Sequence, residues 1–177
     1  MQGVLVSVSF VGVPPPALPR SNGETETRQS VWQGLSDPFD YRVLLRFPSE
    51  DAAQADLRQL VECVPETPLD LDFNLPTEVH HIAIEDERGD VLSEVPLEGY
   101  MVAVHSIANL GYGTEVRDYL KDTLSTFSQI EGCYGHLQGY NATMGEEAWA
   151  FVFGCDRASA PVPHTSESAY HLYRRIA

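Results

Sequence analysis

The stretch from Tyr100 to Phe153 constrains the fold most, because it reads as an apolar strand, a capped amphipathic helix and two short aromatic strands around a turn. From Tyr100 to Ile107, Val102 and Val104 alternate with Met101, Ala103, His105 and Ile107, the period of two that a strand imposes. Asn109 to Gly113 makes a glycine-containing loop. Thr114 then caps a helix in which Val116, Leu120, Leu124 and Phe127 recur at helical spacing, and Gly132 is placed for its C-terminal cap. Cys133 to Tyr140 and Ala148 to Phe153 read as strands around Asn141 to Glu147.

The remaining segments supply elements to pack on this unit. Val4, Val6, Val8 and Phe10 share one face of an N-terminal strand that ends at Pro14-Pro15-Pro16, residues unable to donate ladder hydrogen bonds. Residues 12–40 read as a long, partly mobile loop anchored by Val31, Trp32, Leu35 and Phe39. Tyr41, Val43, Leu45 and Phe47 alternate with an outward Arg42 and Arg46; Ser49 caps a helix carrying Leu57, Leu60, Val61 and Val64 that Pro65 stops; Leu69 to Leu75 alternates again. Residues 41–75 thus form a β-α-β unit. Val79 to Glu85 and Val91 to Val95 suggest a hairpin around the charged turn 85–90, and Ser166 to Ile176 a short terminal helix. Two β-α-β units predict an α+β ferredoxin-like sandwich with an extra N-terminal strand, a hairpin insertion and a C-terminal strand. The 177 residues fit a single domain, 1–177, with 156–177 as its tail. The two halves share no detectable sequence motif. In outline the pattern is similar to small ferredoxin-like regulators that inhibit ribonucleases, but no shared motif allows a site to be carried over.

Charge narrows the function classes. Twenty-six acidic against eleven basic residues give a formal charge of −15, which repels nucleic-acid phosphate and anionic lipid, so no direct nucleic acid or membrane partner is expected. The same field favours encounter with a basic protein partner. An acidic surface that only maintains solubility explains the charge equally well. Cys63, Cys133 and Cys155 are three, widely spaced and without a CxxC pair, which suits a reducing compartment. No Lys or Arg precedes the apolar run Val4 to Val13, so a cytoplasmic protein is expected rather than one with a signal peptide.

Candidate chemistry is sparse. His80 and His81 are neighbours in a strand and must point to opposite faces, and none of His105, His136, His164 and His171 stands at a zinc-ligand spacing. No metal and no cofactor are expected. Cys133 and His136, three apart, also fall on opposite faces unless Gly135 bulges the strand. Gly111-Tyr112-Gly113-Thr114 lacks the lysine of a phosphate loop, and helix capping accounts for it.

Two function classes follow. In the first, a non-catalytic inhibitor or immunity-type module neutralises a basic partner through Trp32, Asp70, Asp72, Glu85, Asp86, Glu87, Asp90, Glu146 and Glu147. In the second, a small enzyme or ligand-binding protein uses a pocket near His105, Tyr134, His136 and Tyr140, the last three of which share a strand face. No catalytic residue is singled out by motif.

Overall fold

The computed structural model describes residues 3–12, 28–55, 78–127, 129–154 and 166–177. Eight antiparallel strands, β1 (Val4–Val11), β2 (Arg28–Gly34), β3 (Asp40–Phe47), β4 (Glu78–Arg88), β5 (Tyr100–Ala108), β6 (Gly135–Asn141), β7 (Glu147–Phe153) and β8 (Ser166–Arg175), close into a barrel in the order β1-β3-β2-β8-β5-β7-β6-β4. This overturns the ferredoxin-like sandwich, in which an open sheet would keep two free edges. Here β2 pairs with β8 and β4 pairs with β6, so neither four-stranded half keeps an edge.

The closure has an internal two-fold order. The first half runs β4-β1-β3-β2 and the second β8-β5-β7-β6. Their registers coincide: Ser7 pairs with Leu44 and His80 as Ala103 pairs with Phe151 and His171. Trp32 opposite Arg42 corresponds to Gly139 opposite Trp149. The closing pairs correspond too, Ile82 with Asn141 and Tyr173 with Gly34.

Because both faces of the barrel wall are covered, many strands are apolar on both faces. Inside, Leu5, Trp32, Leu44, Ile82, Ile84, Met101, Leu137, Phe151 and Phe153 fill one end, with Val91, Leu92 and Val95 from and beside a single helical turn, α1 (Val91–Glu94), packed among them. Outside, helix α2 (Gly113–Phe127) lays Val116, Leu120 and Leu124 on Val102, Val104, Ala148, Ala150 and Val152. Burial of each such side chain is worth roughly 1.5–3 kcal/mol. On the far side Val4, Val6, Val8, Phe10, Tyr41, Val43, Leu45 and Phe47 pack with Ala53 from a helical segment, residues 50–55.

Four local expectations need correcting. Part of the 12–40 loop is strand β2, whose Trp32 is fully buried in the barrel. The hairpin is absent: β4 continues to Arg88 because β6 pairs with it there, and Gly89 (φ +81°) turns the chain into α1, where the Asp90 carbonyl accepts the Ser93 and Glu94 N–H groups. The terminal helix is strand β8, paired over its first nine residues with β5. Arg42, expected to face outward, points into the barrel. The expected strand at 69–75 and most of the helix before it lie outside the described residues.

Candidate active site in the barrel mouth

At the barrel end opposite α1 the interior changes character. His105 on β5, Trp149 and Glu147 on β7, Asn141 on β6, His80 on β4, Ser7 on β1, Asp40 and Arg42 on β3 and Tyr173 on β8 meet there through the alternation of their strands. Glu147 is its hub. One carboxylate oxygen receives His105 Nε2 at 2.8 Å and lies 3.5 Å from His80 Nδ1; the other accepts Asn141 Nδ2 at 2.7 Å. A carboxylate only accepts, so the neutral imidazole of His105 donates from Nε2 and keeps Nδ1 as a basic nitrogen. Burial pushes the His105 imidazole below its ordinary value, outweighing the upward pull of Glu147; His80 and Arg42 add to the depression. His105 is therefore unprotonated near neutrality, with an oriented carboxylate behind it.

The other wall is cationic and aromatic. Arg42, 6% exposed, donates from Nη1 to Ser7 Oγ at 2.9 Å and from Nε to Tyr173 Oη at 3.3 Å. Tyr173 passes its own O–H to Asp40 Oδ2 at 2.9 Å, and burial above all pushes its hydroxyl up to about 12. The guanidinium carbon stands 5.1 Å from the Trp149 ring centroid, and the His105 ring lies parallel to that indole at 4.1 Å and 9°. Rings and one cation thus line a mouth into which His105 and His80 remain about a quarter and a fifth exposed.

The sequence-derived candidates scatter differently. His105 is in the mouth, whereas Tyr134, His136 and Tyr140 belong to the outer side: His136 Nε2 is 2.9 Å from Asp86, Tyr140 lies under Arg117, and Tyr134 is exposed. That four-residue pocket does not exist as one site. Cys133 directs its thiol to the Gly135 carbonyl at 3.7 Å. Of the acidic set, Glu85 is 3.4 Å from Arg117, Glu87 pairs with Arg46, Asp86 is held by His136, Asp90 starts α1, and half-buried Glu146 accepts the Ala108 N–H through its carbonyl. Glu147 belongs to the mouth, and Asp70 and Asp72 lie outside the described residues. Sequence reasoning missed Arg42, His80, Asn141, Trp149 and Tyr173; two-sided burial of the strands was the one signal that could have pointed inward. Among the described residues no group of three or more His, Cys, Asp or Glu side chains is arranged to hold a metal ion. No described helix is long and apolar enough to cross a membrane.

No protein-family model matches the chain, and no curated protein matches it. Solved structures do. The likeness is one of fold. A proposed monooxygenase from Fusobacterium nucleatum superposes with a TM-score of 0.68 at 9% identity, covering 99% of this chain and 93% of its own. A proposed monooxygenase from Lactobacillus acidophilus gives 0.64 at 10% identity, with 98% and 93% covered. An anthrone oxidase-like protein gives 0.63 at 12% identity, with 100% and 92% covered. The barrel fold shared with these neighbours, and the internal pairing of the acidic side chains, overturn the reading as an inhibitor or immunity-type module.

Proposed function

We propose that the chain is a small enzyme that abstracts a proton from an aromatic carbon acid in the barrel mouth, with His105 as general base and Glu147 as the group that orients it. The observation that carries this reading is the His105–Glu147 pair at 2.8 Å, its imidazole depressed by burial and its Nδ1 without a partner among the described residues. Eight-stranded barrels of this size hold either packed side chains or one small ligand, and the polar mouth over an apolar floor suits the second. Anthrone, named for one neighbour, is an acid of the required kind, since loss of a proton from its ring CH2 gives an anion delocalised onto its carbonyl. Oxidation by dioxygen then balances as one CH2 and one O2 giving one C=O and one H2O. The carbanion supplies the electrons, and the base takes up the protons lost from carbon and returns them to the reduced oxygen.

The test is oxygen uptake with 1,8-dihydroxyanthrone, corrected for spontaneous oxidation and matched to quinone formed. His105→Gln, which keeps a donor to Glu147 but removes the base, is expected to lower kcat/KM by about 10²–10⁴-fold. The wild-type rate should rise with pH through a single deprotonation with a midpoint below about 6.5. Equal rates for wild type and His105→Gln would refute the role of His105.

A further inference from the structure

We infer that Arg42 and the indole N–H of Trp149 form an oxyanion receptor, and that the mouth holds its planar aromatic ligand best as the monoanion. The inference rests on the reading of the mouth as a small-molecule site and names what that site recognises.

One unmet buried donor and one buried cation without a direct counter-ion carry it. Trp149 is 2% exposed, and no acceptor reaches its Nε1 among the described residues. A buried N–H left in this state is costly, and an acceptor brought by a ligand relieves it. Arg42 uses Nε and Nη1 on two hydroxyls, and no described carboxylate lies within 4.0 Å of it; Asp40 is reached only through the Tyr173 hydroxyl. A buried cation without a direct counter-ion is costly, and its unused Nη2 is the group an incoming anion satisfies. The two residues touch, with the guanidinium 5.1 Å from the indole centroid.

Their juxtaposition follows from the internal two-fold. Arg42 and Trp149 hold corresponding positions in the two halves, as Asp40 and Glu147 do one residue-pair nearer the rim. The receptor is therefore shared between the halves, with the cation from the first and the indole and base from the second. Ligand shape and charge follow from the lining. The rings of His105, His80 and Trp149 pack on one another, the imidazoles standing 4.1 and 4.8 Å from the indole, and make the lining aromatic, which suits a flat arene. A single guanidinium, in a mouth that also holds the carboxylates of Glu147 and Asp40, suits one delocalised negative charge and opposes a dianion such as phosphate.

The experiment uses the ¹⁵N-labelled full chain, 2-naphthoate as probe and 2-naphthamide as its neutral counterpart. The chain has two tryptophans, so two indole N–H signals are expected, and Trp149→Phe assigns them. 2-Naphthoate should move the Trp149 signal downfield in a saturable way and bind at least tenfold more tightly than 2-naphthamide. Arg42→Met should remove that preference. If Arg42→Met does not fold, Arg42→Lys, which keeps the charge and loses the fork, replaces it, and the wild-type preference is decisive by itself. Equal affinity for the two probes, or saturable binding that leaves the Trp149 signal in place, overturns the receptor while the mouth stands as a ligand site. Absence of binding by either probe overturns both.

Discussion

Tyr173 shows how a single hydroxyl can organise a charged interior. It accepts from Arg42 and donates to Asp40, so its loss leaves a buried guanidinium N–H and a carboxylate short of a partner. Tyr173→Phe is expected to destabilise by about 1–3 kcal/mol, read as a lowered urea midpoint. The pH dependence has a definite sign. Because folding raises the Tyr173 value to about 12, its contribution is intact below about pH 10 and is lost as pH rises toward 12. Phenolate absorbance should therefore show this tyrosine ionising together with unfolding; its ionisation in the folded protein near pH 10 would contradict the burial argument. His105 acts at the other end of the scale. Its depressed value means that acidification below about 6.5 protonates the unfolded chain first, so stability falls as pH drops toward the folded-state value. In Glu147→Gln the imidazole loses the carboxylate that pulls its value upward, and the midpoint of the rate profile should move further down.

At the scale of the elements, the seam between β4 and β6 decides whether the barrel closes. Gly139 lies on that seam, and a Cβ there would stand 2.3 Å from the Ala83 carbonyl oxygen and 2.6 Å from the Ile82 side chain. The first contact is with backbone, which cannot swing away. Gly139→Ala should cost about 2–3 kcal/mol through overpacking, and amide exchange should report the loss in β4 and β6 before β1 and β3. Uniform loss across all strands would assign the effect elsewhere. The same seam explains why a hairpin was expected and is absent. The residues 85–90 look like a turn by composition, but pairing of Asp86, Glu87 and Arg88 with Gln138, Leu137 and His136 keeps the strand extended to Arg88. Three of the acidic side chains that suggested a protein-binding surface are thereby committed to His136, Arg46 and Arg117. For β8, aromatic and β-branched content was low enough to read as helix, and only its long ladder with β5 makes it a strand.

For the whole molecule, the two halves are interdependent because each ends in the strands that complete the other. Fragments 1–96 and 97–177 would each expose two unpaired edges, and mixing them is expected to restore one barrel with a 1:1 stoichiometry by size-exclusion chromatography. Two separately monomeric, cooperatively folded fragments would contradict this. The sequence by itself determined the local elements wherever periodicity was strong: β1, β3, β5, α2, β6 and β7 are all readable from spacing, as is the placement of His80 and His81 on opposite faces. Of the site, it offered His105 by residue type and Glu147 for a different reason. Tertiary structure decided the rest, because closure turns the second face of every strand inward. In an open sheet the face bearing Arg42, His80 and His105 is open to solvent; in the barrel it becomes an interior where burial shifts proton affinities and leaves the Trp149 indole N–H without an acceptor among the described residues. Which residues meet across that interior depends on strand order and register over separations of up to 133 positions, as between Asp40 and Tyr173, and no local spacing carries that information.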